Sequence, residues 1–451
     1  MRTSPSDPPV WTVHPEADAL VREIVEGALL KCPEAASFAR RMLAGTGVRF
    51  ADVIDHLEMP TTKDLVKRIH SVGFRMSNET VARHADGIFP DFVLSERRVA
   101  VLALRVESVC DFLAANGLES EIEGAPHAPY RRARAWSVGD TSVVVVERHG
   151  HAGFDVPECS ADQLIASVRH LERFRRRRRF FDDVAEGFDG TDRLIRNAIA
   201  DLGTDWTCAL FLRAEREYWQ RRNEAGRLQK SRQDMFGLGW ANEDHHTYDC
   251  SREWFHRTIE TLELLGFECR ERFYAGAEAG WGSQILEQPV VGSVVFADID
   301  LYPEELDGDF AHARLEPLPL LRRAGLWCAL HGESMLEAGL NHLECTFDSA
   351  ALHEQLESLG IRMMEPFSNF PHLYQELTVG ERWAVRPERV HALLQRKQLT
   401  EAEARDFLGN GAVGSHFENL ERNQGFKGFN QPGISDVLRR IDPRANLVGH
   451  R

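Results

Sequence analysis

Three residues spread over the C-terminal half, His245, His342 and Glu418, are of the types that together bind a divalent metal ion. Two neutral imidazoles and one carboxylate leave three adjacent positions open on an octahedral ion. That arrangement suits non-heme Fe(II) sharing its sphere with substrate and O2, and it also accepts Mn(II) or another divalent metal. Taken singly, each residue has a bland explanation. A histidine in a strand is more often hydrogen-bonded structure than a ligand, and Glu418 has Arg422 four residues on as a partner. Recurrence is what raises them above that background.

Asp244-His245-His246-Thr247-Tyr248-Asp249 reads as a strand, followed by an amphipathic helix from Trp254 that ends in Leu265-Gly266-Phe267. Asn341-His342-Leu343-Glu344-Cys345-Thr346-Phe347 repeats the pattern, with its helix ending in Leu359-Gly360-Ile361. The first repeat continues with strands predicted over Phe267 to Phe273, Gly282 to Gln288 and Val291 to Ile299. The second continues with Leu373 to Thr378 and Ser415 to Leu420. Two βαβββ modules, each with a histidine in its first strand, could bring both imidazoles to one cavity while a late strand supplies Glu418. The period of two along a strand turns His246 away from the face of His245 and puts His416 on the face of Glu418.

The N-terminal half carries weaker versions of the same signals. Helices are predicted over residues 15 to 45, and Val99 to Gly150 reads as strand, helix and three strands, one more βαβββ unit. A degenerate copy starts at Asp55-His56. His149-Gly150-His151 beside Glu147 resembles a ligand pair, but the only other histidine placed to join it is His56. Arg175 to Arg179, inside a helical stretch from 161 to 230, reads as a solvated face or interface strip. Gly237-Leu238-Gly239 reads as a hinge or turn. The expected organisation is an N-terminal helical segment with degenerate modules over 1–160, a helical connector over 161–236 and a metal-binding region with paired modules over 237–451.

Composition narrows the class. At 451 residues and 43% hydrophobic, the chain can bury several cores. A formal charge of −16 disfavours nucleic acid as a partner and leaves small molecules. The eight cysteines form no CxxC pair, the start (Met1 to Val10) is Pro- and Ser-rich, and no run of eighteen apolar residues occurs. A reduced, cytoplasmic protein without a membrane span is the expectation.

Asn341-His342, Leu373 to Val379, Ser415-His416-Phe417-Glu418-Asn419-Leu420-Glu421-Arg422 and Gly428-Phe429 occur in the order of the landmarks of a known family. With Asp244-His245, they make residues 240 to 440 resemble the 2-oxoadipate dioxygenase/decarboxylase (hydroxyglutarate synthase) family of the vicinal oxygen chelate superfamily. The resemblance implies an α+β fold of repeated βαβββ modules with additional helical segments. It implies Fe(II) on His245, His342 and Glu418, with Gln375 and Arg422 in the pocket, and His416 joins them by its place beside Glu418. It also implies oxidative decarboxylation of a 2-oxo acid that chelates the metal itself. The family's arginine four residues after the first histidine is Asp249 here, so a different substrate is expected, with Arg270, Arg272 or Arg382 as replacement cations. An oxygenase acting on a small 2-oxo or amino acid with O2 is the first reading. A non-redox metal isomerase or lyase is the second, and a binding or scaffold protein the third.

Overall fold

The computed structural model describes residues 11–429 and 442–444; the Pro- and Ser-rich start, residues 1–10, lies outside the described residues. After two helices, α1 (Pro15–Lys31) and α2 (Pro33–Thr46), apolar strands and short helices alternate in a fixed order. The first unit is β1 (Ile54–Pro60), α3 (Lys63–Ser71), β2 (Phe74–Met76), β3 (Val81–His84) and β4 (Asp91–Ser95). The second is β5 (Ala100–Arg105), α4 (Val109–Ala115), β6 (Ile122–Glu123), β7 (Tyr130–Val138) and β8 (Thr141–Arg148). Thr62 and Ser108 start α3 and α4 by accepting a hydrogen bond from the N–H three residues on.

Four helices follow: α5 (Ala161–Arg175), α6 (Val184–Leu202), α7 (Thr204–Gln220) and α8 (Glu224–Asp234). The third unit is β9 (Glu243–Cys250), α9 (Phe255–Leu264), β10 (Glu268–Tyr274), β11 (Trp281–Gln288) and β12 (Ser293–Asp300). A helix, α10 (Arg323–His331), and a single π turn at Ser334–Ala338 lead to the fourth unit. It comprises β13 (His342–Thr346), α11 (Ser349–Ser358), β14 (Ser368–Phe370), β15 (Leu373–Leu377), β16 (Glu381–Trp383), α12 (Pro387–Gln395), α13 (Glu401–Asn410) and β17 (Ala412–Arg422). Gly266 and Gly360 sit at φ +85° after α9 and α11, the left-handed exit that the two sequence repeats share.

The four units pair into two sheets of the same strand order, β2-β3-β4-β1-β5-β8-β7-β6 and β10-β11-β12-β9-β13-β17-β15-β14, with β16 added on β17. In each sheet the first strands of two units lie antiparallel at the centre (β1 with β5, β9 with β13). Each is flanked by the last strand of its own unit in parallel. A parallel neighbour demands a long crossover, which the helix and two strands of each unit supply. The fold is thus an α+β arrangement of repeated βαβββ modules with additional helical segments. Its helical insertion α12–α13 delays β17, so the strand bearing Glu418 comes late.

The Gly237-Leu238-Gly239 turn is fixed rather than hinged. Leu238 O accepts from Glu107 N (3.0 Å), Glu107 accepts from Trp240 N (3.0 Å), and a Cβ on Gly237 would lie 2.3 Å from Phe112 Cα. The arginine run also differs from its sequence reading. The helix ends at Arg175, and Arg177 and Arg179 are buried on the Glu215 carboxylate (3.0 and 2.6 Å). They also donate to Met335 O (2.7 Å) and Leu336 O (3.0 Å) of the π turn. Arg222 donates to Glu337 O at 3.2 Å. The helical block therefore clasps the turn that delivers His342.

Removing Glu215 leaves two buried guanidinium groups with no shared counter-charge, a change that typically costs ~3–5 kcal/mol. Glu215→Ala is expected to lower unfolding free energy by that order in urea denaturation. A loss below about 1 kcal/mol would show that the clasp contributes little.

Candidate metal centre

Strand register assembles the site. His245 of β9 lies opposite Glu344 of β13, and Glu344 lies opposite Glu418 of β17, one row across three strands. Two residues along β13, on the same face, stands His342. His245, His342, Glu344 and Glu418 are all buried, and each offers one ligand atom within 4.8 Å of the others. His245 Nε2 is 2.5 Å from Glu344 Oε2, and His342 Nε2 is 3.1 Å from Glu418 Oε2.

The outward-facing atoms fix which nitrogen is free. Asp244 Oδ1 is 3.0 Å from His245 Nδ1, and Arg422 donates to both oxygens of Asp244 (2.8 and 3.1 Å). A carboxylate held by a guanidinium can only accept, so Nδ1 carries a proton and Nε2 is the nitrogen turned to the cluster, free to ligate once it is deprotonated. On the other side, Asn341 donates through Nδ2 to Asp249 Oδ2 (2.6 Å), which turns its Oδ1 to His342 Nδ1 (3.0 Å). Asp249 in turn is 3.1 Å from Arg323 Nη1. Each imidazole is thus backed by a polar chain ending in an arginine. Gln375 Nε2 lies 3.2 Å from both Glu344 Oε1 and Glu418 Oε1, and its own oxygen accepts from Ser368 Oγ (3.1 Å).

The electrostatics are those of a cation site. Burial, and then the Glu344 carboxylate beside it, push the Glu418 carboxyl well above the ordinary range. Burial drives His342 well below the usual histidine value, so it is a neutral donor. For His245 burial acts in the same sense, but the Glu344 and Asp244 carboxylates outweigh it and raise the pKa. Glu344 Oε2 is buried without a hydrogen bond despite its short distance to His245 Nε2. Two imidazole nitrogens and two carboxylates converging on one point are a donor set that fits Fe(II), Mn(II) or Zn(II).

The cluster forms one wall of a cavity of about 60 Å³ whose other walls are Phe273, Trp281, Phe296, Phe367, Leu377 and Phe429. Gln375 lines it. His416 and Arg422 do not: His416 Nδ1 is engaged by Thr378 O (2.8 Å), and Arg422 stands behind Asp244 rather than pairing with Glu418. Glu344 escaped the sequence reading, although its spacing of two from His342 was the signal. Asp249 does not line the cavity, being held by Asn341 and Arg323. Arg270, Arg272 and Arg382 are likewise elsewhere, paired with Glu271, backbone carbonyls and Asp406 respectively. The guanidinium at the cavity is Arg323.

His149 hydrogen bonds to Glu147 (2.9 Å) and His151 to Asp155 O (3.2 Å), and neither belongs to a ligand cluster among the described residues. The N-terminal sheet repeats the scaffold of the site without its ligands. Arg148 donates to both Asp55 oxygens (2.7 Å each), and Asp55 Oδ2 is 2.7 Å from His56 Nδ1, matching Arg422, Asp244 and His245. Arg148 Nη1 also holds His151 O and Gly153 O, as Arg422 Nη1 holds Phe426 O and Gly428 O. In the row from His56, however, Ala103 and Val144 stand where Glu344 and Glu418 do.

No protein-family model matches the chain, and no curated protein does. Among solved structures it is similar to a mutant 4-hydroxymandelate synthase from Streptomyces coelicolor, at 12% identity and TM-score 0.31, over 77% of this chain and 98% of that one. It is also similar to methylmalonyl-CoA epimerase from Mycobacterium tuberculosis, at 14% identity and TM-score 0.21, over 40% of this chain and 88% of that one. Overlaps of this extent assign no activity.

Because the Glu418 carboxyl retains its proton above the ordinary range without metal, metal uptake must release it. Mn(II) affinity is therefore expected to rise with pH, with proton release detectable by titration calorimetry in buffers of different ionisation enthalpy. Asp244→Asn should weaken the metal ~10–100-fold through loss of imidazole orientation. His56→Ala should leave metal content unchanged; a drop there would place the metal in the wrong sheet.

Proposed function

We propose that this chain is a mononuclear divalent-metal enzyme acting on a small substrate that chelates the metal through oxygen, and that its activity is Fe(II)-dependent oxygenation of a carboxylate-bearing metabolite. The observation that carries the metal enzyme is the convergence of His245, His342, Glu344 and Glu418 at the wall of an aromatic-lined cavity. The dioxygenase step rests on the family resemblance of residues 240 to 440. A divalent ion held there would polarise a chelated substrate oxygen and, if iron, would supply electrons to O2.

The chain's own residues do the rest. Asp244 and Asn341 hold the imidazoles in the tautomer that presents Nε2. The Gln375 amide spaces the two carboxylates, and the phenylalanine and tryptophan walls exclude water. The Glu418 carboxyl can keep a proton at Oε when it is not a ligand.

Glu344 favours a second reading. If all four residues ligate, an octahedral ion retains two open positions: enough for a chelating substrate, but not for substrate and O2 together. That geometry suits a non-redox isomerase or lyase in which the substrate is polarised and a carboxylate moves a proton. In the oxygenase, Glu344 stays off the metal.

Anaerobic reconstitution is expected to give one metal per chain, lost in His342→Ala with the fold retained. Substrate-dependent O2 uptake on a panel of 2-oxo, hydroxy and amino acids should then appear with Fe(II). Uptake that survives in Glu344→Gln supports a three-residue ligand set. Metal binding without uptake on any acid transfers the reading to non-redox chemistry, and a native chain that takes no metal defeats both.

A further inference from the structure

Arg323 is the one arginine or lysine among the described residues that line the cavity, and it is buried there at 3% exposure. It is held with unusual completeness. Asp300 fixes the start of α10 by accepting from the backbone N–H of Arg322, Ala324 and Gly325 (3.1, 2.9 and 2.9 Å). The guanidinium carbon lies 4.5 Å from the centre of the Trp281 ring. Nη1 reaches Asp298 Oδ2 at 2.8 Å and Asp249 Oδ1 at 3.1 Å. Asp298 is itself fixed by the Ser283 hydroxyl. Both carboxylates are met by Nη1, and among the described residues no hydrogen bond is made by Nη2 or Nε. Two polar atoms of other cavity-lining residues, Thr247 Oγ1 and Trp281 Nε1, are buried without partners. Buried donors of this kind in a cavity wall point to a ligand that satisfies them.

Building on the metal-enzyme reading above, we propose that Arg323 anchors the substrate's carboxylate and that the site is selective for a compact 2-oxo or 2-hydroxy monocarboxylic acid. The other walls decide against a dicarboxylate. Phe273, Phe296, Phe367, Leu377 and Phe429 offer a second carboxylate no cation, and Asp298 beside Arg323 repels one. Burying an anion without a partner costs several kcal/mol. Size points the same way: the cavity is small, about 60 Å³, and its apolar walls suit a short, apolar side chain. The charged residue at the place of the family's substrate arginine, Asp249, thus works by holding the arginine that replaces it.

The test uses the full chain loaded with Mn(II), with 2-oxobutyrate and 2-oxoadipate as probes in titration calorimetry. The native protein is expected to bind 2-oxobutyrate at least tenfold more tightly than 2-oxoadipate. Arg323→Gln should weaken 2-oxobutyrate by roughly tenfold or more, as befits a lost charge-assisted hydrogen bond, while metal content stays at the native value. Arg323→Lys should recover part of the loss. Equal or tighter binding of 2-oxoadipate overturns the proposal, as does unchanged 2-oxobutyrate binding in metal-loaded Arg323→Gln. Failure of both acids to bind a metal-loaded chain overturns the anchor and leaves the metal reading standing, whereas a chain without metal removes both. The native comparison of the two acids decides the matter even if Arg323→Gln does not fold.

Discussion

Two carboxylates, Glu344 and Glu418, are buried side by side facing two imidazole nitrogens, and much of the surrounding structure answers that concentration of charge. Burying one carboxylate costs several kcal/mol even after relaxation, and two in contact repel as well. Gln375 supplies one amide to both, too little to neutralise either. The nearest guanidinium groups stop one residue short: Arg422 is bound to Asp244, and Arg323 to Asp249 and Asp298. Their role is to orient the histidines and, for Arg323, to face the cavity. The negative charge at the centre is left for something that is not a side chain, and a divalent cation would balance it.

Such a cluster works only if its four members hold their relative positions to within about half an ångström, and the fold supplies that rigidity from two directions. The central strands β9, β13 and β17 set the row His245, Glu344, Glu418 by backbone register alone. The approach to β13 is fixed from outside the sheet, where Arg177, Arg179 and Arg222 hold carbonyls of the π turn just before Asn341 and His342. A π turn is a poorly bonded piece of backbone, and these buried guanidinium donors satisfy what the turn leaves exposed. The helices between the two sheets thereby belong to the site's architecture rather than forming a passive linker.

The sequence made the repeated features legible. The histidine-to-glycine recurrence in two units identified the modules and both imidazoles, and alternation along a strand placed His246 on the far face, where it meets Arg216 and Ser293. The features that escaped are those that depend on distance in space rather than period. Glu344 was in plain view at His342 plus two, but a His-x-Glu strand pattern becomes a site only when a third strand brings Glu418 alongside. Arg323 lies in the helix between units, outside any repeat, so nothing in its local sequence marks it. The arginine run read as a solvated face or interface strip because charge density suggests exposure, yet Glu215, 36 to 38 residues on along the chain, pairs with its buried members.

The N-terminal sheet separates what the fold needs from what the chemistry needs. It keeps the strand order, the Asp-His step at Asp55-His56 and the arginine clasp of Arg148, and it folds into the same continuous core. At the ligand positions it places Val101, Ala103 and Val144, side chains that pack without desolvation cost and gain about 0.8 kcal/mol per buried methylene. The same backbone is therefore satisfied without acids in that row. Carboxylates retained at Glu344 and Glu418 in the C-terminal sheet stand against that gradient of stability. A costly arrangement that its twin does without points to function, and the chemistry of the four side chains points to a metal.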